Sequence, residues 1–402
     1  MKKVLLGTTA LVSAVFVAHQ AQAADPIELS VGGYQNWATY LVNNDNGAGS
    51  ATLPAQPGFN RYDNRVVFDG EIQFNGKTVL DNGLEVGVRF ELEGEQDAGD
   101  QLDETFAYIE GSFGTFRVGN DDPVSVSMAT AAPYLNYVFG ANSPTVFTNG
   151  LSQFYTATGR TAAGAGYATF ATFAGMTGDD AQLMYFTPVF NGFQFGVSYA
   201  PDQGEARQGG GYGLGTRSGA GAALAEEYSI AGRYDGAIGD LGVTVAMGFM
   251  EAKGRSTGNE AANRLAADMQ AMDIGLVLYY GNWGFGGSYM NVQDMRGFEG
   301  TDQSAYDLGI AYYSDGAWSA GIYWLHSETD YAAGALGAAA GPVAAGGGAV
   351  TDDFDAFRLQ TQYDLGPGIA VTGTVGYDQF DDGAANQTYD TLFVGTGMML
   401  SF

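Results

Sequence analysis

The chain has 402 residues, a formal net charge of −29, 62 glycines and no cysteine. The acidic excess excludes nucleic acid as a partner, because phosphates need basic side chains to bind them. The lack of cysteine excludes disulfides and every site that depends on thiolate ligands. Stability and function therefore have to come from other groups.

The first element in chain order is a secretory signal. Lys2 and Lys3 form a basic start, residues 4–17 form an apolar run, and Ala21-Gln22-Ala23 supplies a small-x-small cleavage site. An apolar run of about fourteen residues is too short to span a membrane as a helix. We predict a signal peptide over residues 1–23 and a single exported domain over residues 24–402.

Segments of alternating character follow along the mature chain. In residues 193–199 and 241–249 every second residue is apolar, and the residues between are uncharged and mostly small. This alternation places all apolar side chains of a strand on one face. The other face carries Gly, Ser, Ala and Thr with scattered charges, unlike the mostly charged outer face of a soluble sandwich, and aromatic residues such as Trp283 and Tyr289 lie near the segment ends. The pattern is typical of a transmembrane barrel with a polar lumen.

The segments predict sixteen strands. They lie near residues 27–41, 61–80, 83–95, 103–112, 113–120, 181–190, 192–201, 226–236, 240–251, 271–281, 283–294, 303–314, 317–329, 352–364, 368–380 and 388–402. An even count lets the first and last strands pair, and closure leaves no unsatisfied edge in hydrocarbon. The predicted fold is all-β, a 16-stranded antiparallel transmembrane β-barrel with short periplasmic turns and long outer loops. Sixteen strands also leave room for an aqueous channel.

The second predicted strand shows both faces most clearly. Odd positions in residues 61–77 are mostly polar, whereas Val66, Phe68, Ile72 and Phe74 are apolar and should face lipid. Val67 breaks this pattern, because it is an apolar residue at a position that faces the lumen.

Five arginines are the candidates for the pore lining: Arg65, Arg89, Arg117, Arg233 and Arg358. Alternation turns them inward, and an arginine that faced lipid at the midplane would cost about 2–4 kcal/mol. Two interpretations remain open. The arginines either only avoid lipid, or they face Asp121 and Asp122 and set an electric field across a constriction.

Residues 120–180 form a connection far longer than the usual loop of about four to six residues. Its aromatic residues need a surface to pack against, which a loop projecting into water would not provide. We predict that this third outer loop folds into the barrel, sets the pore size and brings Asp121 and Asp122 toward the arginines.

The mature chain offers little for catalysis or metal binding. His326 is its only histidine, so any serine triad would depend on that one residue at a strand end. We predict no enzymatic activity, no catalytic residue and no required cofactor. Paired acids occur at loop bases, and they form either a solvated charged rim or sites for Ca²⁺, without the spacing of an EF-hand. These pairs are Asp121-Asp122, Asp179-Asp180, Asp352-Asp353 and Asp381-Asp382.

Several segments resemble a known family, the Gram-negative porins of the alphaproteobacterial type. They are Asp81 to Leu84 at a hairpin tip, Phe113 to Asp122, Tyr185 to Pro188, and the ending on Phe402. The resemblance implies a trimer of sixteen-stranded barrels, each narrowed by its third outer loop. It also implies Ca²⁺ at acidic loop sites in some relatives and an assembly signal at Phe402. Leu400 departs from the pattern, because an aromatic residue is more usual there.

The sequence thus predicts an outer-membrane porin with passive diffusion of ions and small hydrophilic solutes. Its expected partners are outer-membrane lipid, lipopolysaccharide and further copies of the chain. Removal of Lys2 and Lys3 leaves a mature charge of −31, which predicts a mild cation preference. Two alternatives stay open. One is a substrate-selective porin for a sugar or another polar nutrient, lined by loop aromatics such as Tyr134, Tyr137, Phe139 and Tyr155, and the other is a secreted acidic Ca²⁺-binding surface protein.

Overall fold

The structure is a computed structural model and describes residues 26–45, 64–94, 102–135, 172, 181–202, 223–255, 267–297, 299–331, 349–383 and 387–402. The strands are β1 (Glu28–Asp45), β2 (Asn64–Val79), β3 (Glu85–Glu93), β4 (Leu102–Gly111), β5 (Gly114–Asn120), β6 (Ala181–Phe186), β7 (Phe193–Asp202), β8 (Ala223–Ile238), β9 (Leu241–Arg255), β10 (Met269–Tyr280), β11 (Trp283–Gln293), β12 (Asp302–Tyr313), β13 (Trp318–Tyr331), β14 (Val350–Gly366), β15 (Ile369–Asp382) and β16 (Gln387–Ser401). One short helix, α1 (Val124–Ser127), follows β5, and a 3₁₀ turn (Met295–Gly297) follows β11. Neither helical segment in these ranges is long and apolar enough to cross a membrane.

The sixteen strands form one closed antiparallel barrel. Each strand pairs with its neighbours in sequence, and β1 pairs with β16, where Tyr34 lies opposite Ser401. The C-terminal residue adds to this seam. The Phe402 N–H donates to the Gly33 carbonyl at 3.0 Å, and the Gly33 N–H donates to the Phe402 carbonyl at 3.1 Å. The predicted fold class is confirmed, whereas the predicted signal peptide lies outside the described residues and stays a prediction.

Strand ends differ from the sequence prediction by a few residues. β6 ends at Phe186 and not at residue 190, because Pro188 has no N–H to continue the ladder. On the side of the long loops, β8 begins at Ala223 and β9 extends to Arg255. The barrel wall is therefore taller at this place than the alternation indicated.

The predicted division into two faces is confirmed along the strands. In β10 the side chains of Met272, Ile274 and Leu276 are exposed on the outside, whereas Ala271 and Asp273 are buried toward the lumen. Exposed apolar residues cover the outer wall because they face lipid in this class of barrel.

Aromatic residues form two outward bands on the wall. Near the short turns Tyr312 packs against Trp283 and Trp318, with ring centroids 4.8 Å and 5.4 Å apart. Near the outer ends Tyr306 meets Trp324 edge-on at 5.2 Å. These bands correspond to the aromatic girdles that lie at the two membrane interfaces.

Val67 has a specific place on the inner wall. Its side chain packs against a cluster of Ala38, Tyr40 and Phe393, contributed by β1 and β16. Tyr40 and Phe393 are almost fully buried. An apolar residue at this inward position therefore belongs to a packed part of the lumen and is no irregularity of the strand.

The strands that flank the third loop are the shortest in the barrel. β5 has 7 residues and β6 has 6, whereas β1 on the same sheet has 18. The chain leaves the wall after Asn120, well below the outer rim. This early departure places the beginning of the third loop inside the barrel.

Candidate channel constriction

The described beginning of the third loop, residues 121–135, crosses the inner wall and is called the strap below. Its helix α1 lies against β7, β8 and β9. The Val124 N–H donates to Ser198 Oγ at 3.3 Å, and the Ser125 N–H donates to Ser229 Oγ at 3.1 Å. Two strand serines thus satisfy the first free N–H groups of the helix, which have no partner within it. Infolding of the loop is confirmed for these residues.

Inward glycines make room for the strap on five strands. Their missing side chains leave bare backbone under strap residues 124–133, and an added Cβ at each would approach the strap within 3.1 Å. These glycines are Gly196, Gly248, Gly275, Gly286 and Gly309. The closest approach is at Gly275, where a Cβ would overlap the Thr130 carbonyl oxygen. The strap therefore lies directly on the wall, and side chains larger than glycine would lift it toward the lumen.

Asp307 on β12 holds the middle of the strap. Its Oδ1 accepts hydrogen bonds from the Ala132 N–H at 3.2 Å and from the N–H and hydroxyl of Ser288 at 2.7 Å and 2.9 Å. Farther along, the Leu135 N–H donates to Gln360 Oε1 on β14 at 3.3 Å. Both acceptors are buried, so these bonds are shielded from water. The strap is fixed from β7 to β14, which is half of the barrel wall.

Arg233 on β8 binds the strap from the side of the short turns. Its Nη1 donates to the carbonyl oxygens of Met128 and Ala129 at 3.3 Å and 2.9 Å. Its Nε pairs with Asp235 at 2.6 Å. Arg233 thus caps carbonyls that follow α1, where a positive charge is favourable at a helix C-terminus.

Arg117 on β5 holds the root of the strap. Its guanidinium lies 3.0 Å from Asp121 and is sandwiched by the rings of Phe106 and Phe186, at 4.8 Å and 4.9 Å from their centroids. Gln182 donates to the Asp121 carbonyl oxygen. Burial raises the pKa of the Asp121 carboxyl, and Arg117 opposes that rise. Of the predicted contacts between arginines and loop acids, this is the one that the structure forms directly.

Asp122 is the more readily protonated acid of the strap. Burial raises the pKa of its carboxyl to about 6, and the nearby charges of Asp121 and Asp103 add to the rise. An acid with a pKa near 6 changes its charge within the range of ordinary environmental pH.

Arg89 on β3 also points inward, but its ion pair is with Glu91 on its own strand. Glu91 belongs to a group of three acids with Glu71 and Asp103, whose carboxylate oxygens lie within 4.8 Å of one another. Such a group suits Ca²⁺ in ligand type. Arg89 already neutralises one of the three, and the group lies on the wall of the barrel. Ca²⁺ at the acidic loops stays a prediction.

Arg358 occupies a different part of the barrel from the other arginines. Its side chain is buried, pairs with Asp378 on β15 and lies 4.8 Å from the ring centroid of Phe393. The expected approach of Asp121 and Asp122 to Arg358 is not seen, because Asp378 already neutralises it. The fifth candidate, Arg65, lies on β2 opposite Tyr40, and its side chain is outside the described part of the chain.

Three of the predicted arginines share one lumenal cavity of about 800 Å³ between the strap and the turns. Arg89, Arg117 and Arg233 line it together with Glu110 and Asp235. The three guanidinium side chains are about one-third exposed. The cavity therefore presents charges of both signs to a passing solute.

The match to a protein family decides the class of the barrel. A model described as Gram-negative porin matches residues 7–383 of the chain. The chain belongs to the Gram-negative porin family. This porin therefore lies in the outer membrane, and it is a channel and not an enzyme.

Solved structures share the fold of this porin at low sequence identity. The outer membrane channel DcaP of Acinetobacter baumannii is 11% identical, with a TM-score of 0.59 over 96% of this chain and 100% of that chain. The trimer form of OmpT from Vibrio cholerae is 14% identical, with a TM-score of 0.54 over 94% and 100%. OmpF of Salmonella typhi, in complex with daunomycin, is 13% identical, with a TM-score of 0.53 over 93% and 97%. Comparison with curated protein sequences gives no match.

Sequence reasoning missed the residues that hold the strap. The alternation marks Gly196 and Gly248 only as small residues of the lumenal face, and it does not single out Asp307, Gln360 or the other three glycines. A usable signal existed, because β9, β10, β11 and β12 each carry an inward glycine four to eight residues from the adjoining short turn. Most of the third loop, including Tyr137, Phe139 and Tyr155, lies outside the described residues.

Proposed function

We propose that this porin lets ions and small hydrophilic solutes diffuse passively through a water-filled lumen, without a cofactor or an energy source. One observation carries the proposal. The strap covers the inner wall from β7 to β14, and the opposite wall keeps polar side chains that are accessible from the lumen. On that wall the side chains of Lys77 and Glu85 pair at 3.2 Å and are 53% and 28% exposed. Solutes move along this polar wall.

We propose a mild preference for cations. Arg89, Arg117 and Arg233 each pair with an acid, so they add little net positive charge to the lumen. The acidic excess of the chain then dominates the potential and concentrates cations at the mouth. Salt weakens the effect, because the Debye length falls from about 10 Å at 0.1 M to about 3 Å at 1 M.

The proposed assembly is a homotrimer embedded among outer-membrane lipid and lipopolysaccharide. Support comes from the trimer form of OmpT, a structure with the same fold, and from the apolar outer wall with its aromatic bands. Mass measurement of the detergent-solubilised porin tests the assembly. A stable monomer would remove the trimer and leave the channel proposal untouched.

Planar-bilayer recording of the purified porin tests the channel itself. We expect stepwise ion conductance, and a reversal potential in a KCl gradient of the sign that cation preference requires. Heat-unfolded porin serves as the control. A folded preparation that inserts without conducting would overturn the diffusion function, and an anion preference would overturn only the proposed selectivity.

A further inference from the structure

A second lumenal cavity lies across the barrel from the arginines. It has a volume of about 730 Å³ and extends from the end of the strap to the short-turn end of β14, β15, β16 and β1. Its polar and aromatic lining consists of Tyr34, Asn36, Tyr134, Gln362, Asp364 and Ser401. Its volume lies in the range of small-molecule sites, which is about 300–1,000 Å³.

Two tyrosines reach this cavity from different elements. Tyr34 belongs to β1 on the wall, and Tyr134 belongs to the strap and is 43% exposed. The anchor beside Tyr134 is the hydrogen bond from the Leu135 N–H to Gln360 Oε1. The strap therefore brings a second aromatic ring into a cavity that the wall alone would leave with one. Tyrosine supplies an apolar ring and a hydroxyl together, which suits a solute with C–H and O–H groups on its surface.

One hydrogen-bond acceptor of the cavity lining lacks a partner among the described residues. Gln362 donates through Nε2 to Asp364 Oδ1 at 2.9 Å. Its Oε1 is a buried acceptor without a hydrogen-bond partner among the described residues. A buried unpaired acceptor is unfavourable, so it favours a ligand that brings a donor. A hydroxyl group is such a donor.

The charge of the cavity narrows the class of solute. None of the described residues that line it is lysine or arginine, and Asp364 is the one carboxylate. Anionic solutes therefore find no cationic side chain among the described lining residues, in contrast to the arginine cavity. The remaining polar groups of the lining are neutral amides and hydroxyls. Together they suit a solute that forms several hydrogen bonds better than a solute that carries one full charge.

We propose that this cavity is a docking site for neutral polyhydroxylated solutes of mono- to disaccharide size. It extends the proposed diffusion function, on which it rests, by naming one class of solute that the lumen retains briefly. Tyr34 and Tyr134 contact the ring faces, and Gln362 and Asp364 accept from hydroxyl groups.

The test uses the full-length porin in planar bilayers and measures the block of ion current by sucrose. Tyr34→Ala and Tyr134→Ala are each expected to raise the half-blocking sucrose concentration about fivefold, the size typical of one lost aromatic contact. Tyr279→Ala is the matched control, because Tyr279 is a half-exposed tyrosine at the same end of the barrel that does not line this cavity. Tyr134→Phe keeps the ring and is expected to block as wild type does.

The outcomes separate the two proposals. Porin that conducts normally but is not blocked by sucrose overturns the docking site and leaves diffusion intact, whereas porin that does not conduct overturns diffusion. Equal shifts for Tyr134→Ala and Tyr279→Ala also overturn the site. Block by spermidine but not by sucrose would assign the cavity to cationic amines and overturn the proposed class of solute. Heat-resistant migration of each variant confirms that it has folded.

Discussion

The carboxylate of Asp307 on β12 accepts a hydrogen bond from the backbone N–H of Ala132 on the strap, 175 residues earlier in the chain, at 3.2 Å. The same oxygen also binds Ser288 on β11. One buried acid thus joins two strands of the wall to the segment that narrows the lumen.

Replacement of Asp307 is expected to loosen the strap. Asp307→Ala leaves three donors without their acceptor, and each buried unpaired group costs about 1–3 kcal/mol. We expect larger current noise and a higher mean single-channel conductance, with the barrel still folded. Asp307→Asn retains an acceptor oxygen and should behave nearly as wild type. Asp240→Asn, at an exposed turn, is the control, and equal behaviour of Asp307→Ala and the control would contradict the anchor.

Substitution at Gly275 is expected to narrow the channel. In Gly275→Ala the new Cβ overlaps the Thr130 carbonyl, so the strap has to move away from the wall and into the lumen. Overpacking of this kind costs about 1–3 kcal/mol. Single-channel conductance should fall. Gly316→Ala serves as the control, because its nearest neighbour is Ser314 Oγ at 3.6 Å. Unchanged conductance in Gly275→Ala would show that the strap does not limit the current.

Replacement of the arginines is expected to change ion selectivity at some positions and barrel stability at another. The triple variant of Arg89, Arg117 and Arg233 to Gln removes positive charge from the lumenal cavity and should raise cation preference, measured as a reversal potential. Arg358→Gln should instead destabilise the barrel by about 3–5 kcal/mol, because Asp378 remains as a buried unpaired charge. Thermal unfolding measures this effect. A triple variant with wild-type selectivity would show that these arginines hold the strap without setting the ion selectivity.

Acid pH is expected to weaken cation preference around pH 6. The pKa of Asp122 is raised to about 6, so the carboxyl is ionised at pH 7.5 and becomes neutral at pH 5. Because the folded state raises this pKa, seating of the strap is most favourable below the ordinary value of about 4 and weakens as pH rises through 6. Reversal potentials between pH 5 and pH 7.5 measure the loss of charge. Asp122→Asn should flatten this pH dependence, and a variant that keeps it would assign the titration to another group.

Deletion of Phe402 is expected to impair assembly. The residue supplies both hydrogen bonds to Gly33 at the seam between β1 and β16. Without it the first and last strands lose their terminal contact at the short-turn end. Outer-membrane levels of the deletion and of Phe402→Asp should fall. Phe402→Tyr keeps an aromatic terminus as the control, and normal levels of the deletion would remove the assembly role.

The number of strands and the choice of side chains that face lipid were predictable, because both depend on the local sequence pattern. A period of two fixes which side chains of β10 face lipid, and the length of a polar stretch separates turns from loops. The seam followed from the even count. These features require no knowledge of which residues meet across the lumen.

Contacts between residues on different strands, or between the wall and the strap, were not predictable in the same way. The partner of Arg358 is Asp378, which lies on the next strand, so the choice depends on strand register. The path of the strap depends on Gly248 and Gly275 lying on the neighbouring strands β9 and β10, whereas each glycine alone indicates only a small residue. Val67 likewise gains its meaning from Phe393, at the other end of the chain.

The seating of the strap on one half of the barrel has an evolutionary consequence. Inward positions beneath it, such as Gly248 and Gly309, are confined by space, so that few substitutions survive there. Inward positions on β2 and β3, such as Lys77 and Glu85, form a partly exposed ion pair, and such pairs contribute little to stability, so a change of charge there costs less. Substitutions on this half of the wall can therefore change which solutes pass through the lumen when a new nutrient or toxin is encountered. The half of the wall beneath the strap is held by steric constraint, so the largest solute size that the lumen admits is preserved.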